Sequence, residues 1–433
     1  GVTGVQTCAL PISGPAHPAP TWRTRRGRAP PRVGYTARVI SVAEAARTVV
    51  ARMPRTPIEH VALADAAGRV LAADVVAGRP LPGFDNSAMD GFAVRAADLP
   101  ATLPVVGAIA AGAGQVAPLA PATAVRIMTG APMPAGADTV VIFEDAHADG
   151  AQVTLPAARA GDNLRRAGED LAIGELAVPA GTRLGPGELT ALAALGCATI
   201  AVARRPRVAL IATGDELVGI QTVPGPGQLV DSSAYGLRAA IAAAGGTAHY
   251  LGAVGDDRAA LATAIARALA ADVVITTGGV SAGDHDHVRG ALAEAGVTLD
   301  FWKVAMKPGK PLAVGRAGST SVFALPGNPV SSAVAFELFV RPALLAMQGA
   351  LVTARPRAPV IVPSGYRKPP GRAHYLRARL TRRGSELVAI PHPKQGSAMI
   401  SSLVGCDALI EIAAEAEGLE PGDQTTALLL RAV

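Results

Sequence analysis

Aromatic side chains are nearly missing from this chain: Phe, Tyr and Trp together make up 3% of its 433 residues. Its cores must therefore be filled by Val, Leu, Ile and Ala. Cysteine is as scarce. Cys8, Cys197 and Cys406 lie far apart without metal-ligand spacing, which argues against a disulfide framework or a zinc cluster and fits a reduced cytoplasm. No uninterrupted apolar run reaches about 18 residues, so no transmembrane helix and no membrane partner are expected. Charge of one sign is also lacking. Five arginines, Arg23, Arg25, Arg26, Arg28 and Arg32, sit in residues 1–34 without a single acid, and removing them from the formal +6 leaves +1. A remainder so close to neutral excludes a broad nucleic-acid-binding surface.

Residues 1–40 are rich in Pro, Gly and Arg and carry no apolar h-region. They are expected to be disordered or extraneous to the fold. Ser41-Val42-Ala43-Glu44 is a capping-box pattern that predicts a helix to about Met53. Segments 41–80 and 161–205 are expected to form an N-terminal linker domain, interrupted over 81–160 by an inserted β-rich domain with short strands at 125–128 and 139–142. Over 206–351 the pattern alternates. Strands are expected at 208–212, 248–253, 273–277, 299–306 and 321–324, and helices at 234–244 and 258–270. A further helix should run toward Met347, with Asn328 as its cap and Pro329 at its first position. Short strands and turns fill 352–433. The fold class is thus multidomain α/β plus β: a parallel α/β ligand-binding domain, N-terminal helical and β domains, and a small C-terminal β domain.

The most informative stretch is Thr276-Thr277-Gly278-Gly279-Val280-Ser281-Ala282-Gly283-Asp284-His285-Asp286, directly after the apolar run 271–275. It is neither a GxGxxG nor a Walker A loop. A strand followed by two glycines lets the backbone approach a ligand, and hydroxyls and free N–H groups suit an anion. In a parallel domain the loops after strands gather on one rim, which makes Glu216, Asp256 and Asp286 candidate metal or ribose ligands. Asp256 or Asp257 could equally cap the helix that begins at Arg258. If 299–306 is one strand, Lys303, Ala305 and Lys307 share a face suited to phosphate or another oxyanion, whereas Lys310 reads as a solvated turn residue. A strand over 374–380 sets Tyr375, Arg377 and Arg379 opposite His374, Leu376 and Ala378, and its pattern does not say which arginine is functional.

Further stretches complete the set: Pro82-Gly83-Phe84-Asp85-Asn86-Ser87-Ala88-Met89-Asp90-Gly91, Ile127-Met128-Thr129-Gly130-Ala131-Pro132, residues 165–170, Ala212-Thr213-Gly214-Asp215-Glu216, Lys307-Pro308-Gly309-Lys310-Pro311 and Leu325-Pro326-Gly327-Asn328-Pro329-Val330-Ser331. In this order they resemble one family closely, the molybdopterin molybdenumtransferases, called MoeA in bacteria and the E domain of gephyrin in animals. The resemblance runs from about residue 41 over nearly the whole chain. It implies an elongated homodimer of four-subdomain chains. It also implies the last step of molybdenum cofactor synthesis, in which adenylylated molybdopterin and molybdate give the metallated cofactor and AMP. By matching motif positions it implies Asp90, Asp170, Glu216, Asp286, Lys303 and Lys307 as catalytic residues. Thr129, Asp256, Thr277, Gly278, Gly279, Ser281, Arg377 and Ser397 would bind substrate, and Glu216 and Asp286 would hold Mg2+. Asp90, Thr129 and Asp170 would act across the dimer interface, and a molybdopterin adenylyltransferase would be the upstream partner.

One departure stands out. The family commonly has Asp-[Ser/Thr]-Asn after the Gly-Gln pair, and here the run is Gly227-Gln228-Leu229-Val230-Asp231-Ser232-Ser233, in which serine is expected to cap the following helix. Two other readings compete: the adenylyltransferase itself, which is essentially the α/β domain alone, and a gephyrin-like scaffold. The extra domains and the Lys307–Pro311 motif speak against the first. The full set of polar site residues needs no scaffold role.

Overall fold

The computed structural model describes residues 39–280 and 287–431. Ser41 caps the first helix, Val42–Ala51, its hydroxyl accepting from the Glu44 N–H at 3.1 Å. The buried face of that helix, Ala45 and Val49, joins a core with Val208, Phe336 and Phe339. The helix is thus built into the α/β domain, and segment 41–80 divides after it. From Ile58 onward the chain pairs with its own return: Ile58–Ala62 runs antiparallel to Thr199–Ala203, and Val75–Val76 to Leu176–Val178. Leu71, Leu184, Leu192 and Val202 fill the space between them.

The insertion opens and closes at one point, where Leu81 bridges Leu171. Its six-stranded sheet has the order Thr139–Ile142, Gly91–Val94, Ala124–Ile127, Ala101–Ile109, Gln152–Leu155, His147–Asp149. Both faces are covered. Phe92 and Val94 pack with Leu103 and Val141 on one side, and Ala93 packs with Ile127 and Val140 on the other. That is why Gly91–Val94 reads as a continuous apolar run instead of an alternating one.

The α/β sheet has the order Thr247–Val254, Arg207–Thr213, Val273–Thr277, Thr320–Leu325, Pro311–Ala317, Thr298–Lys303. The first four strands are parallel. Pro311–Ala317 runs antiparallel to both of its neighbours, so the sheet is mixed at one edge. This polarity places Thr213, Val254, Thr277, Leu325, Lys303 and the start of the Pro311 strand on one rim, the expected ligand edge of such a sheet.

One expectation from the sequence needs correction. The strand expected over 299–306 is two strands in two sheets. Its edge pairing ends at Lys303, opposite Pro311. The chain then turns, with the Ala305 N–H bonding the Ile40 carbonyl at 2.8 Å, and Met306–Lys307 pairs with Ala373 and His374 of the C-terminal domain. Lys303 and Lys307 therefore share no strand face. One helix, through residues 329–347, is long and apolar enough to cross a membrane by length and composition alone, although Glu337 and Arg341 interrupt its apolar run. It is the core helix of the α/β domain: 83% of its apolar window is buried, and a π-helical stretch, Phe336–Val340, interrupts it.

The C-terminal domain is a closed five-stranded barrel. Ala373–Arg383 pairs with Glu386–Pro391 and also with Ala408–Ile412, and Arg357–Ile361 and Gln424–Leu429 complete the ring. Leu376, Ala378, Ile410 and Ala427 fill the interior. Alternation along the strand points Tyr375 and Arg377 outward, and Tyr375 joins the α/β core. His374 is 2% exposed, with Nδ1 3.2 Å from the Tyr366 hydroxyl and no partner at Nε2 among the described residues. Burial first, and then Lys307, Lys368 and Arg372, push its pKa down to about 4. An unfolded imidazole titrates near ~6.5, so below that pH the unfolded chain binds the extra proton. The stability that neutral His374 represents is present above ~6.5 and lost as pH falls toward 4. Melting temperature is expected to drop across this window, and less so in His374→Gln. An equal slope in the variant would place the acid sensitivity in other groups.

Candidate active site

The shared rim encloses a cavity of about 900 Å³. Its floor is the glycine loop. Gly278 and Gly279 have φ of +97° and +64°, and a Cβ on Gly278 would collide with the Thr213 carbonyl oxygen. Only glycine combines this backbone with this approach. The loop is fixed from both sides: the Gly278 N–H bonds the Leu325 carbonyl at 3.1 Å, and the Thr213 hydroxyl donates to the Thr277 carbonyl at 3.1 Å. Gly279 remains partly open to the cavity, as the anion-cradle reading requires.

Among the described residues the acids separate into those that hold backbone and those that do not. Asp257 caps the helix Arg258–Ala268 by accepting from the Ala260 N–H at 2.7 Å. Asp215 accepts from the Asp256 N–H at 3.0 Å and so holds the loop. The side chains of Glu216 and Asp256 are thereby left exposed on the cavity wall. Asp231, which sequence reasoning did not single out, also lines the cavity at 6% exposure. Its carboxylate accepts from the Tyr250 hydroxyl at 2.7 Å and from the Ala234 N–H at 3.2 Å. Asp231 thus does the capping that was expected of serine, since Ser232 holds the cap position without a side-chain bond. Its place directly after the Leu229–Val230 strand was the available signal.

Lys303 and Lys310 both line the cavity, Lys310 as the exposed side chain expected of it. The pairing of Lys303 with Pro311 brings the two lysines to one rim. Lys307 is exposed beside the barrel, away from the cavity wall. Ser281 and Asp286 lie outside the described residues. Among the described residues no three His, Cys, Asp or Glu side chains gather into a metal-binding group. The two free carboxylates, Glu216 and Asp256, are hard oxygen donors. They suit Mg2+, which commonly takes one or two carboxylates together with phosphate and water.

Ser397, on a loop of the barrel, meets the cavity wall at Asn328. Asn328, expected to cap the helix beginning at Pro329, makes no capping bond; its side-chain amide donates to the Ser397 hydroxyl at 3.2 Å. The helix end is served by the Ser397 carbonyl, which accepts from the Val330 N–H at 3.3 Å. Arg377 is 1% exposed. Its guanidinium bonds the Ser402 hydroxyl at 3.1 Å and the carbonyls of Gly396 and Lys394 at 3.2 and 3.4 Å, so it lies under the loop that carries Ser397.

A second cluster forms on the inserted domain. Asp90 Oδ1 accepts from the Thr129 N–H at 2.7 Å and from the Thr129 hydroxyl at 2.8 Å. These bonds, the backbone one foremost, hold the Asp90 carboxyl below the usual carboxylate range. Asp85 binds Arg166 and the Ala167 N–H, both at 2.8 Å, and the Asp170 N–H bonds the Leu81 carbonyl at 3.0 Å. The three sequence stretches around Asp90, Thr129 and Asp170 therefore converge on one surface. None of their residues lines the α/β cavity of the same chain.

Fold and site together define a multidomain protein with a ligand-binding α/β domain at its centre. Three family descriptions match in chain order: "MoeA N-terminal region (domain I and II)" over residues 40–196, "Probable molybdopterin binding domain" over 209–346 and "MoeA C-terminal region (domain IV)" over 359–430. Molybdopterin molybdenumtransferase 2 of Mycobacterium tuberculosis is 39% identical over 393 residues, covering 87% of this chain and 96% of that protein. The molybdopterin molybdenumtransferase of Bacillus subtilis is 36% identical over 408 residues, covering 90% and 94%. The solved molybdopterin biosynthesis moeA protein of Pyrococcus horikoshii OT3 superposes with a TM-score of 0.80 at 28% identity, covering 90% of this chain and all of that one. The chain belongs to the molybdopterin molybdenumtransferase family.

Proposed function

We propose that this chain inserts molybdenum from molybdate into adenylylated molybdopterin and releases AMP, the final step of molybdenum cofactor synthesis. The observation that carries this reading is the cavity itself, where a positive-φ glycine loop, two lysines and two carboxylates without a partner among the described residues share one rim. Bringing a tetrahedral dianion to a phosphoanhydride means overcoming repulsion, and Lys303 and Lys310 supply opposing charge at the cavity wall. The oxyanion pocket is proposed to extend beyond this wall to the barrel side, where Lys307 is exposed and Arg377 anchors the loop of Ser397. Glu216, with Asp286 or Asp256, would hold Mg2+, which when bound neutralises charge on the leaving phosphate. Gly278 and Gly279 let the backbone close on the substrate's phosphates.

Asp90, Thr129 and Asp170 are proposed to face the cavity of a second copy in a homodimer. Their convergence on a surface that their own cavity does not use supports this arrangement. A molybdopterin adenylyltransferase would supply the substrate in the cytoplasm. The domains on either side of the α/β unit disfavour an adenylyltransferase activity for this chain. The test is AMP release from adenylylated molybdopterin by the purified chain: release upon adding molybdate, and little without it, is expected. Release that ignores molybdate would overturn the reading.

A further inference from the structure

Beyond Pro391 the barrel strand Glu386–Pro391 leaves the sheet, and Arg377 faces the loop that follows. The His392 N–H takes the Arg377 carbonyl at 2.8 Å, but Pro393 has no N–H to continue the ladder. A side chain does so instead. Gln395 Oε1 accepts from the Arg377 N–H at 3.1 Å, and its Nε2 donates to the Arg377 carbonyl at 2.9 Å and to the His392 carbonyl at 2.7 Å. The amide thus mimics a peptide group of the missing strand. Arg377 returns the grip, because its guanidinium holds the carbonyls on either side of Gln395, those of Lys394 and Gly396.

We propose that Gln395 is a positioning residue for the oxyanion pocket: it clamps the main chain of Arg377 and thereby sets Ser397, two residues on, against Asn328 at the cavity wall. The path is continuous. Ser397 accepts from the Asn328 amide through its hydroxyl and from the Val330 N–H through its carbonyl. Asn328 is part of the cavity lining, whereas Gln395 is not. A side chain that never meets the substrate therefore fixes the distance between the barrel's contribution to the pocket and that of the α/β domain. The inference rests on the molybdate-insertion reading given above, because it assigns Ser397 and Arg377 to the oxyanion.

Gln395→Met keeps length and volume and removes all three bonds. The molybdate concentration for half-maximal AMP release is expected to rise about tenfold, the equivalent of one or two lost hydrogen bonds. The dissociation constant for adenylylated molybdopterin and the maximal rate should change less than about twofold. Gln395→Glu keeps the acceptor for the Arg377 N–H but sets a carboxylate against two carbonyls, and should show the same split. Two results would overturn the proposal: an unchanged molybdate requirement in both variants, or equal weakening of both ligands together with a lower melting temperature, which is the mark of a purely structural role. Wild-type protein that releases no AMP in response to molybdate would instead sink the functional reading, independently of Gln395.

Discussion

Heterodimers made from Asp90→Ala and Glu216→Ala subunits are expected to recover up to about half the wild-type AMP release, while each variant homodimer is nearly inactive. Glu216 stands on the cavity wall, and Asp90 stands with Thr129 on a surface of the inserted domain that this cavity does not reach. If a site is built from the α/β domain of one copy and the inserted domain of the other, a mixed dimer holds one site with both acids altered and one with both intact. Each homodimer loses one acid from every site, and removal of a single group that stabilises developing charge costs about 10²–10³-fold in rate. Two affinity tags allow the mixed species to be isolated and its AMP release measured. Activity no higher than that of the homodimers would refute the cross-subunit arrangement.

Arg377→Ala is expected to cost both stability and molybdate affinity, in contrast to the affinity-only loss in Gln395→Met. Arg377 is among the largest fully buried side chains, and its removal leaves the Ser402 hydroxyl and the carbonyls of Lys394 and Gly396 without that donor beside a new void. Truncations of this kind cost on the order of 3 kcal/mol. The thermal transition of the barrel should fall by several degrees, and half-saturating molybdate should rise more than tenfold. Arg377→Lys keeps the charge but not the planar fork, so it should recover only part of either. A variant with unaltered melting and weakened molybdate use would assign the guanidinium to the anion directly instead of to the loop.

Local signals were readable where one residue type answers to one geometry. Ser41 and Glu44 marked a helix start that forms as expected, and two glycines after an apolar strand marked the cavity floor. Competition between neighbours was harder to read. Either Asp256 or Asp257 could have been the cap, and only the backbone path shows that Asp257 takes the role and frees Asp256. Alternation along 299–306 was consistent with one strand, because the turn after Lys303 is imposed by contacts with Ile40 and with the barrel, both remote in sequence. The same holds for Arg377. Alternation put Arg377 and Arg379 on one face, and only the loop 392–402, which covers Arg377 and leaves Arg379 exposed, tells them apart. The place of Lys310 and Asp231 on the cavity wall follows from strand order at the rim, which no local pattern encodes.

The nesting of one domain within another also sets a timetable for the emerging chain. All six strands of the inserted sheet lie between residues 91 and 155, so that unit can fold soon after it leaves the ribosome. Its host must wait, because Ile58–Ala62 finds its partner only when Thr199–Ala203 has been made. The first helix waits longest: Ala45 and Val49 are buried against Phe336 and Phe339, some 290 residues downstream. At ~5–20 residues per second that interval lasts roughly 15–60 s, during which an amphipathic helix has no home. The earliest-synthesised helix of the described chain is therefore among the last to dock, and the α/β core cannot be completed until it does.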